Sequence, residues 1–176
     1  MIIRNYILAT LTLVFAPILA PLAFGDSDGK HELIKKTIIC GDAEVTAETM
    51  YIDTKTPEII CTRQKIKLVN QKKGVVKILP LDGKLVKKKF KAGPVLDAVA
   101  TSVGCLKSKA GTSYILLWYQ CNWGQDCCGD NREWQRLFSV DGTNLTLGKH
   151  KDIRLDLLYK KLGIPDTGGD HTELIN

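Results

Sequence analysis

Two apolar segments flank a cysteine-rich loop, and this arrangement constrains the fold more than any other feature of the chain. The loop is CNWGQDCC, Cys121 to Cys128, and it holds three of the six cysteines. The apolar segments are SYILLWYQ (residues 113–120) and EWQRLFSV (residues 133–140), and all three tryptophans lie in this region. Short apolar runs bounded by turn residues are typical of buried strands. We therefore predict two strands at the centre of the core, joined by a cross-linked loop.

The number of cysteines predicts three disulfides. All six cysteines follow residue 25, and an even number in an exported chain is typical of a disulfide framework. The spacing of two adjacent cysteines after a gap of five residues matches none of the usual zinc-binding patterns, so we predict no metal and no cofactor. The pairs that we predict are Cys40 with Cys61, Cys121 with Cys127 or Cys128, and Cys105 with whichever of the last two remains.

Residues 1–25 have the pattern of an export signal. One positive charge precedes an almost wholly apolar run over residues 7–24, and small residues occupy the positions before the expected cut. We predict cleavage after Gly25, which places the mature protein in the periplasm or outside the cell. An uncleaved membrane anchor is the alternative, although two prolines interrupt this short run. The rest of the chain is predicted to form one β-rich domain over residues 26–165 and a disordered tail over residues 166–176.

Alternating side chains predict that most of the domain is β-sheet. Apolar Ile66 and Leu68 alternate with Lys65 and Lys67, as in a strand with one buried face and one charged face. Turn residues separate the segments that we predict as strands, which are residues 33–40, 45–52, 59–69, 75–79, 84–90, the second half of 95–105, 113–120 and 133–140. The predicted fold is an all-β, antiparallel sandwich or barrel-like sheet of about eight short strands, stabilised by disulfides.

Two Asp-Gly pairs and a helical pattern complete this prediction. Asp82-Gly83 and Asp141-Gly142 predict hairpin turns, because the usual two-residue turn needs positive φ values that glycine adopts without strain. Residues 153–162 have apolar side chains on one side and a helix stop after them, which predicts one short C-terminal helix. Both faces of residues 113–120 are apolar, so we expect both faces, including Trp118, to be covered.

The positive charge of the chain is concentrated in one segment. Residues 63–91 contain eleven lysine or arginine residues and one aspartate, whereas the whole chain carries a net charge of only +6. Alternation places Lys65, Lys67, Lys87 and Lys89 on one side of neighbouring strands. Such a surface attracts an acidic protein or an anionic component of the cell envelope. Nucleic acid is a less suitable partner, because stacking aromatic residues do not interleave with the lysines. The simpler interpretation is a solvated face whose lysines prevent aggregation.

Trp123 is a second candidate for a binding residue. It lies inside the cysteine-rich loop between a polar residue and a glycine, and exposed aromatic side chains often anchor interfaces. The alternative is that it packs over the disulfides. Catalysis has little support, because the three histidines are scattered and the usual nucleophile, zinc-protease and phosphate-binding motifs are missing from the sequence.

These observations favour an exported, disulfide-stabilised protein that works by binding. We predict that it captures or inhibits another protein, such as a hydrolase of the cell envelope or a toxin. The alternative function is a small secreted hydrolase whose carboxylates are scattered in the sequence. A deep pocket lined by two close acids would favour the hydrolase, and a flat or protruding surface would favour the binding protein.

Overall fold

Strands with one apolar face form two antiparallel sheets that pack against each other. The computed structural model describes residues 30–53, 59–86, 93–122, 133–146, 155–165 and 171–174, and every structural statement below concerns these residues. The predicted export signal over residues 1–25 lies outside them. The all-β antiparallel fold with a disulfide and one short helix near the C-terminus is confirmed.

The first sheet contains the four N-terminal strands in sequence order. They are β1 (His31–Cys40), β2 (Ala43–Asp53), β3 (Ile59–Asn70) and β4 (Val75–Ile78). Only Gly41 and Asp42 separate β1 from β2, and Gly41 has a φ of 59°. A side chain with a Cβ atom is strained at this φ. The glycine therefore allows the tight turn that sets the register of the first hairpin.

The remaining strands form a two-stranded pair and a second four-stranded sheet. They are β5 (Leu85–Val86), β6 (Val95–Leu96), β7 (Ala98–Lys107), β8 (Ser113–Cys121), β9 (Glu133–Ser139) and, after helix α1 (Leu155–Leu162), β10 (His171–Leu174). β5 pairs with β6, and the second sheet has the order β10-β7-β8-β9. The prediction of a disordered tail is wrong for residues 171–174. The sequence of this short segment gave no strand signal, whereas its backbone pairs with β7 in the structure.

Both sheets contribute to one core, and the helix covers the far side of the second sheet. Val45 and Ile66 from the first sheet and Ile115 and Phe138 from the second are fully buried in the same cluster. On the opposite face of the second sheet, α1 packs its apolar side over a smaller cluster. The described residues thus form three layers, in the order first sheet, second sheet, helix.

The helix does not cover all of the side of β8 that points away from the first sheet. α1 and its C-terminal end pack over Tyr114 and Leu116, but Trp118 lies further along the strand and is 38% exposed. Tyr119, on the inner face of β8, is fully buried. The expectation that both faces are covered therefore fails at Trp118, because a helix of eight residues is too short to reach it.

The hairpin predicted at Asp82-Gly83 does not form. β4 pairs with β3, and β5 pairs with β6, so this segment crosses between sheets instead of reversing the chain. Gly83 does not adopt a positive φ. A Cβ atom at Gly83 would overlap the carbonyl oxygen of Ala98, so the glycine permits a close approach of two backbone segments.

The turn predicted at Asp141-Gly142 is confirmed. Gly142 has a φ of 78°, and its amide donates to the carbonyl of Ser139 (2.9 Å). The hydroxyl of Ser139 and the amide of Thr143 both donate to the carboxylate of Asp141. These hydrogen bonds favour the ionised form and lower the pKa of Asp141 to about 2.

The predicted Cys40–Cys61 disulfide is wrong, and Cys40 is bonded to Cys105 instead. β1 and β3 run in the same direction, with Cys40 at the end of β1 and Cys61 near the start of β3. The two cysteines therefore lie at opposite ends of the sheet. The observed bridge, with a Cα–Cα distance of 5.2 Å, joins the first sheet to β7 in the second sheet. Cys61 is a buried free thiol, which contradicts its predicted place in a disulfide.

Candidate binding surface

Lys65 and Lys67 lie on the solvent-facing side of β3, as the alternation predicts. Both side chains are exposed, whereas Ile66 and Leu68 between and beside them are fully buried in the core. Arg63 is exposed two residues before Lys65. Side chains two residues apart on a strand point to the same face, so these three cations share one side of the sheet.

The strand register defines the rest of this surface, which we call the outer face. It comprises Leu33, Lys35, Thr37 and Ile39 of β1, Glu44, Thr46, Glu48 and Met50 of β2, Arg63, Lys65, Lys67 and Val69 of β3, and Val76 and Ile78 of β4. A hydrogen bond between the hydroxyls of Thr37 and Thr46 (3.0 Å) agrees with this assignment. The described outer face carries four cations and two carboxylates.

The charges on the outer face are arranged in rows across the strands. Lys65 is opposite Glu48 in the register, and Glu48 is opposite Lys35. Lys35 Nζ lies 3.7 Å from Glu48, and both side chains are well exposed. An exposed pair of this kind contributes about 0–1 kcal/mol to folding. The rows therefore leave the outer face positive overall but less basic than the sequence count of residues 63–91 indicates.

Four aliphatic side chains on the outer face are more than half exposed. Their exposed fractions are 61% for Leu33, 64% for Ile39, 66% for Val76 and 52% for Ile78. Leu33 and Ile39 lie on β1 and Val76 and Ile78 on β4, so the exposed aliphatic side chains are at the two edges of the sheet, with the cations of β3 between them. Sequence alternation alone did not single them out, because each looks like an ordinary strand residue.

Two depressions lie at this face. One, of about 150 Å³, is lined by Leu33, Glu48, Met50, Arg63 and Lys65. The other, of about 280 Å³, surrounds the β1–β2 turn and includes Asp42 and Glu44. Asp42 forms an ion pair with Lys72 at 2.6 Å, and both partners are at least half exposed. The second depression holds two carboxylates, and one of them, Asp42, is engaged by Lys72.

A buried ion pair lies on the inner side of the fold, away from the outer face. Arg136 Nε is 2.8 Å from Asp82 Oδ2, with only 5% of the arginine side chain and 21% of the aspartate side chain exposed. The indole N–H of Trp134 donates to the same oxygen (2.6 Å), and the Trp134 ring stacks on Tyr119. This cluster ties the segment after β4 to β8 and β9. Sequence analysis missed it, although an arginine at an inward position of an apolar strand was a usable signal.

Asn122 and the backbone of Cys61 form a second polar site that the sequence did not reveal, and the Cys61 thiol donates to the carbonyl of Arg63 (3.4 Å). The Asn122 side chain accepts from the amide of Cys61 (2.8 Å) and donates to the carbonyls of Cys61 and Leu96 (2.7 Å each). These bonds fix the point where β8 leads into the cysteine-rich loop. Burial raises the pKa of Cys61 to about 12. The thiol is therefore protonated at neutral pH, which is unsuited to nucleophilic chemistry.

Several candidate residues lie outside the described part of the chain. They are Trp123, Lys87, Lys89, Cys127 and Cys128. Cys121 is disulfide-bonded. Cys40 and Cys105 are bonded to each other and Cys61 is a free thiol, so the partner of Cys121 is also outside the described residues. The predicted bridge from Cys121 to Cys127 or Cys128 stays a prediction, whereas the predicted bridge to Cys105 is wrong.

Comparisons with protein-family models, curated proteins and solved structures find no match to this chain. Within the described ranges, no helix combines the length and apolar character needed to cross a membrane. Nor do the described residues include a group of three or more histidine, cysteine, aspartate or glutamate side chains arranged to hold a metal ion. The outer face of the first sheet combines exposed cations with exposed aliphatic side chains, and it is the candidate binding surface.

Proposed function

We propose that this chain is an exported, periplasmic or extracellular binding protein that captures or inhibits an acidic protein. The proposed partner is a hydrolase of the envelope or a toxin. One observation carries the proposal: the outer face presents exposed cations on β3 and exposed aliphatic side chains on the two edge strands of the same sheet. The disulfide between Cys40 and Cys105 supports export, because such bonds persist mainly in oxidising compartments.

The two kinds of side chain supply different parts of binding. Lys65, Lys67 and Arg63 are exposed at the surface, so they raise the rate of encounter with an acidic partner without great cost in desolvation. The aliphatic side chains gain free energy when a partner covers them, at about 25 cal/mol per Å² of apolar surface removed from water. Specific complexes have a well-packed buried centre with a polar rim, and complementary charges raise the rate of encounter.

Affinity capture tests the proposal. The mature protein, without residues 1–25, is used as bait in an envelope extract, and the bound proteins are identified by mass spectrometry. We expect one or a few acidic proteins to be retained by wild type and lost with Lys65→Glu/Lys67→Glu. The control bait is Lys107→Glu/Lys109→Glu, which makes the same change of charge at exposed positions of β7 and the following loop. Equal retention by both variants would show that the outer face is only a solvated surface.

A further inference from the structure

The outer edge of β4 has backbone hydrogen-bonding groups that no described strand uses. β4 ends the strand order of the first sheet, and no described strand lies beyond it. The amide of Leu79 donates to the carbonyl of Ile66 (2.9 Å), which marks this as a hydrogen-bonded pair of the β3–β4 ladder. Such pairs alternate along an antiparallel ladder with pairs that do not exchange hydrogen bonds. Val76 and Ile78 are in the second kind of pair, so their N–H and C=O groups point away from β3.

The same two residues carry exposed aliphatic side chains. Val76 is 66% exposed and Ile78 is 52% exposed, and both side chains are on the outer face. Lys77 between them is also exposed and points to the other side of the strand. An added strand would place alternate residues beside Val76 and Ile78 and the residue between them near Lys77. The added strand is therefore expected to carry an aliphatic, an acidic and an aliphatic residue in succession.

β1, the other edge of the sheet, is protected in ways that β4 is not. It has charged side chains on both faces, with Lys35 on the outer face and Glu32 and Lys36 on the inner one. Its end is tied to the second sheet through the Cys40–Cys105 disulfide. Charges on both faces of an edge strand prevent pairing with another chain. β4 is short and has a single lysine, and Pro80 lies two residues beyond its last residue.

We propose that the acidic partner binds by adding an extended strand to the outer edge of β4. The added segment has aliphatic side chains at alternate positions and carboxylates between them, which complement Lys77 on the same side of the sheet. Backbone hydrogen bonds to Val76 and Ile78 supply binding energy, and the aliphatic neighbours supply the apolar contact, as in other cases of strand addition. This inference rests on the proposed function, and it specifies the contact that the partner makes.

The probe is a short synthetic peptide in which valine alternates with aspartate, and binding is read by fluorescence anisotropy. A second peptide has the same side chains, but the backbone nitrogens that face β4 are methylated and cannot donate. We expect the first peptide to bind and the methylated one to bind about tenfold more weakly, because it cannot donate hydrogen bonds to the outward carbonyls of Val76 and Ile78. In the protein, Ile78→Pro removes one outward N–H, and Ile78→Val keeps it. Proline should weaken binding of the first peptide and valine should not.

The outcomes separate this inference from the proposed function. Equal binding of both peptides would overturn strand addition while leaving charge-driven capture in place, and this result does not depend on whether Ile78→Pro folds. Binding of neither peptide, with capture still dependent on Lys65 and Lys67, would overturn strand addition alone. Binding to vesicles of anionic phospholipid with no binding of either peptide would also overturn strand addition. The outer face would then be a lipid-binding surface.

Discussion

Replacing Asp82 by alanine is expected to lower the free energy of unfolding by about 3–5 kcal/mol. The substitution removes the carboxylate 2.8 Å from the Arg136 guanidinium, whose side chain is only 5% exposed. Removing one partner of a buried pair leaves the other charge in a poorly solvated place, which costs more than the pair contributed. Trp134 loses the acceptor of its indole N–H at the same time. Urea denaturation of the variant and of wild type measures the difference.

Asp42→Ala is the matched control for this prediction. Asp42 is also paired with a cation, Lys72, and at a shorter distance of 2.6 Å, but its side chain is 51% exposed and that of Lys72 is 75% exposed. Its removal should therefore cost about 0–1 kcal/mol. The double variant Asp82→Ala/Arg136→Leu should recover part of the loss, because no buried charge remains. Equal losses for Asp42→Ala and Asp82→Ala would contradict the role given to burial.

Removing the Cys40–Cys105 disulfide is expected to cost about 4 kcal/mol. The two cysteines are separated by 65 positions in the sequence, so the bridge closes a large loop and restricts the unfolded chain strongly. It also joins the two sheets directly. The variant is Cys40→Ala/Cys105→Ala, and its unfolding is followed by urea denaturation under non-reducing conditions. The melting temperature should fall markedly.

Cys61→Ala is the control for the disulfide variant. Cys61 is fully buried, but it closes no loop, so the loss should be only about 1 kcal/mol. Peptide mapping without reduction should recover Cys40 linked to Cys105 and Cys61 as a thiol. Mapping that links Cys40 to Cys61, or equal destabilisation by the two substitutions, would contradict the arrangement described here.

Local patterns predicted the strands well, because each strand has its own alternation. β3 is the clearest example: its buried Ile66 and Leu68 and exposed Lys65 and Lys67 follow directly from the period of two. The paired glycine and aspartate at residues 141–142 also predicted a turn that forms as expected. These features depend only on residues close together in the chain.

The predictions failed where the answer depends on distant residues. The partner of Cys40 is decided by the packing of the two sheets, which spacing along the sequence does not contain. Asp82 appeared to be a turn residue because the sequence does not show that Arg136, far along the chain, is its ion-pair partner. Trp118 appeared buried because the position at which α1 stops covering β8 is a property of the packed layers. The exposed aliphatic row on β4 required the register of the whole sheet.

The rate of association between the mature protein and its captured partner tests the central claim, that the basic outer face recruits an acidic protein. Stopped-flow measurements at low and high salt would compare wild type, Lys65→Glu/Lys67→Glu and the control Lys107→Glu/Lys109→Glu. We expect the outer-face variant to associate about tenfold or more slowly at low salt, and the difference to shrink at high salt because exposed charges are screened over about 10 Å at 0.1 M. Its stability should stay within about 0.5 kcal/mol of wild type. Association of this variant at the wild-type rate in low salt would contradict the account.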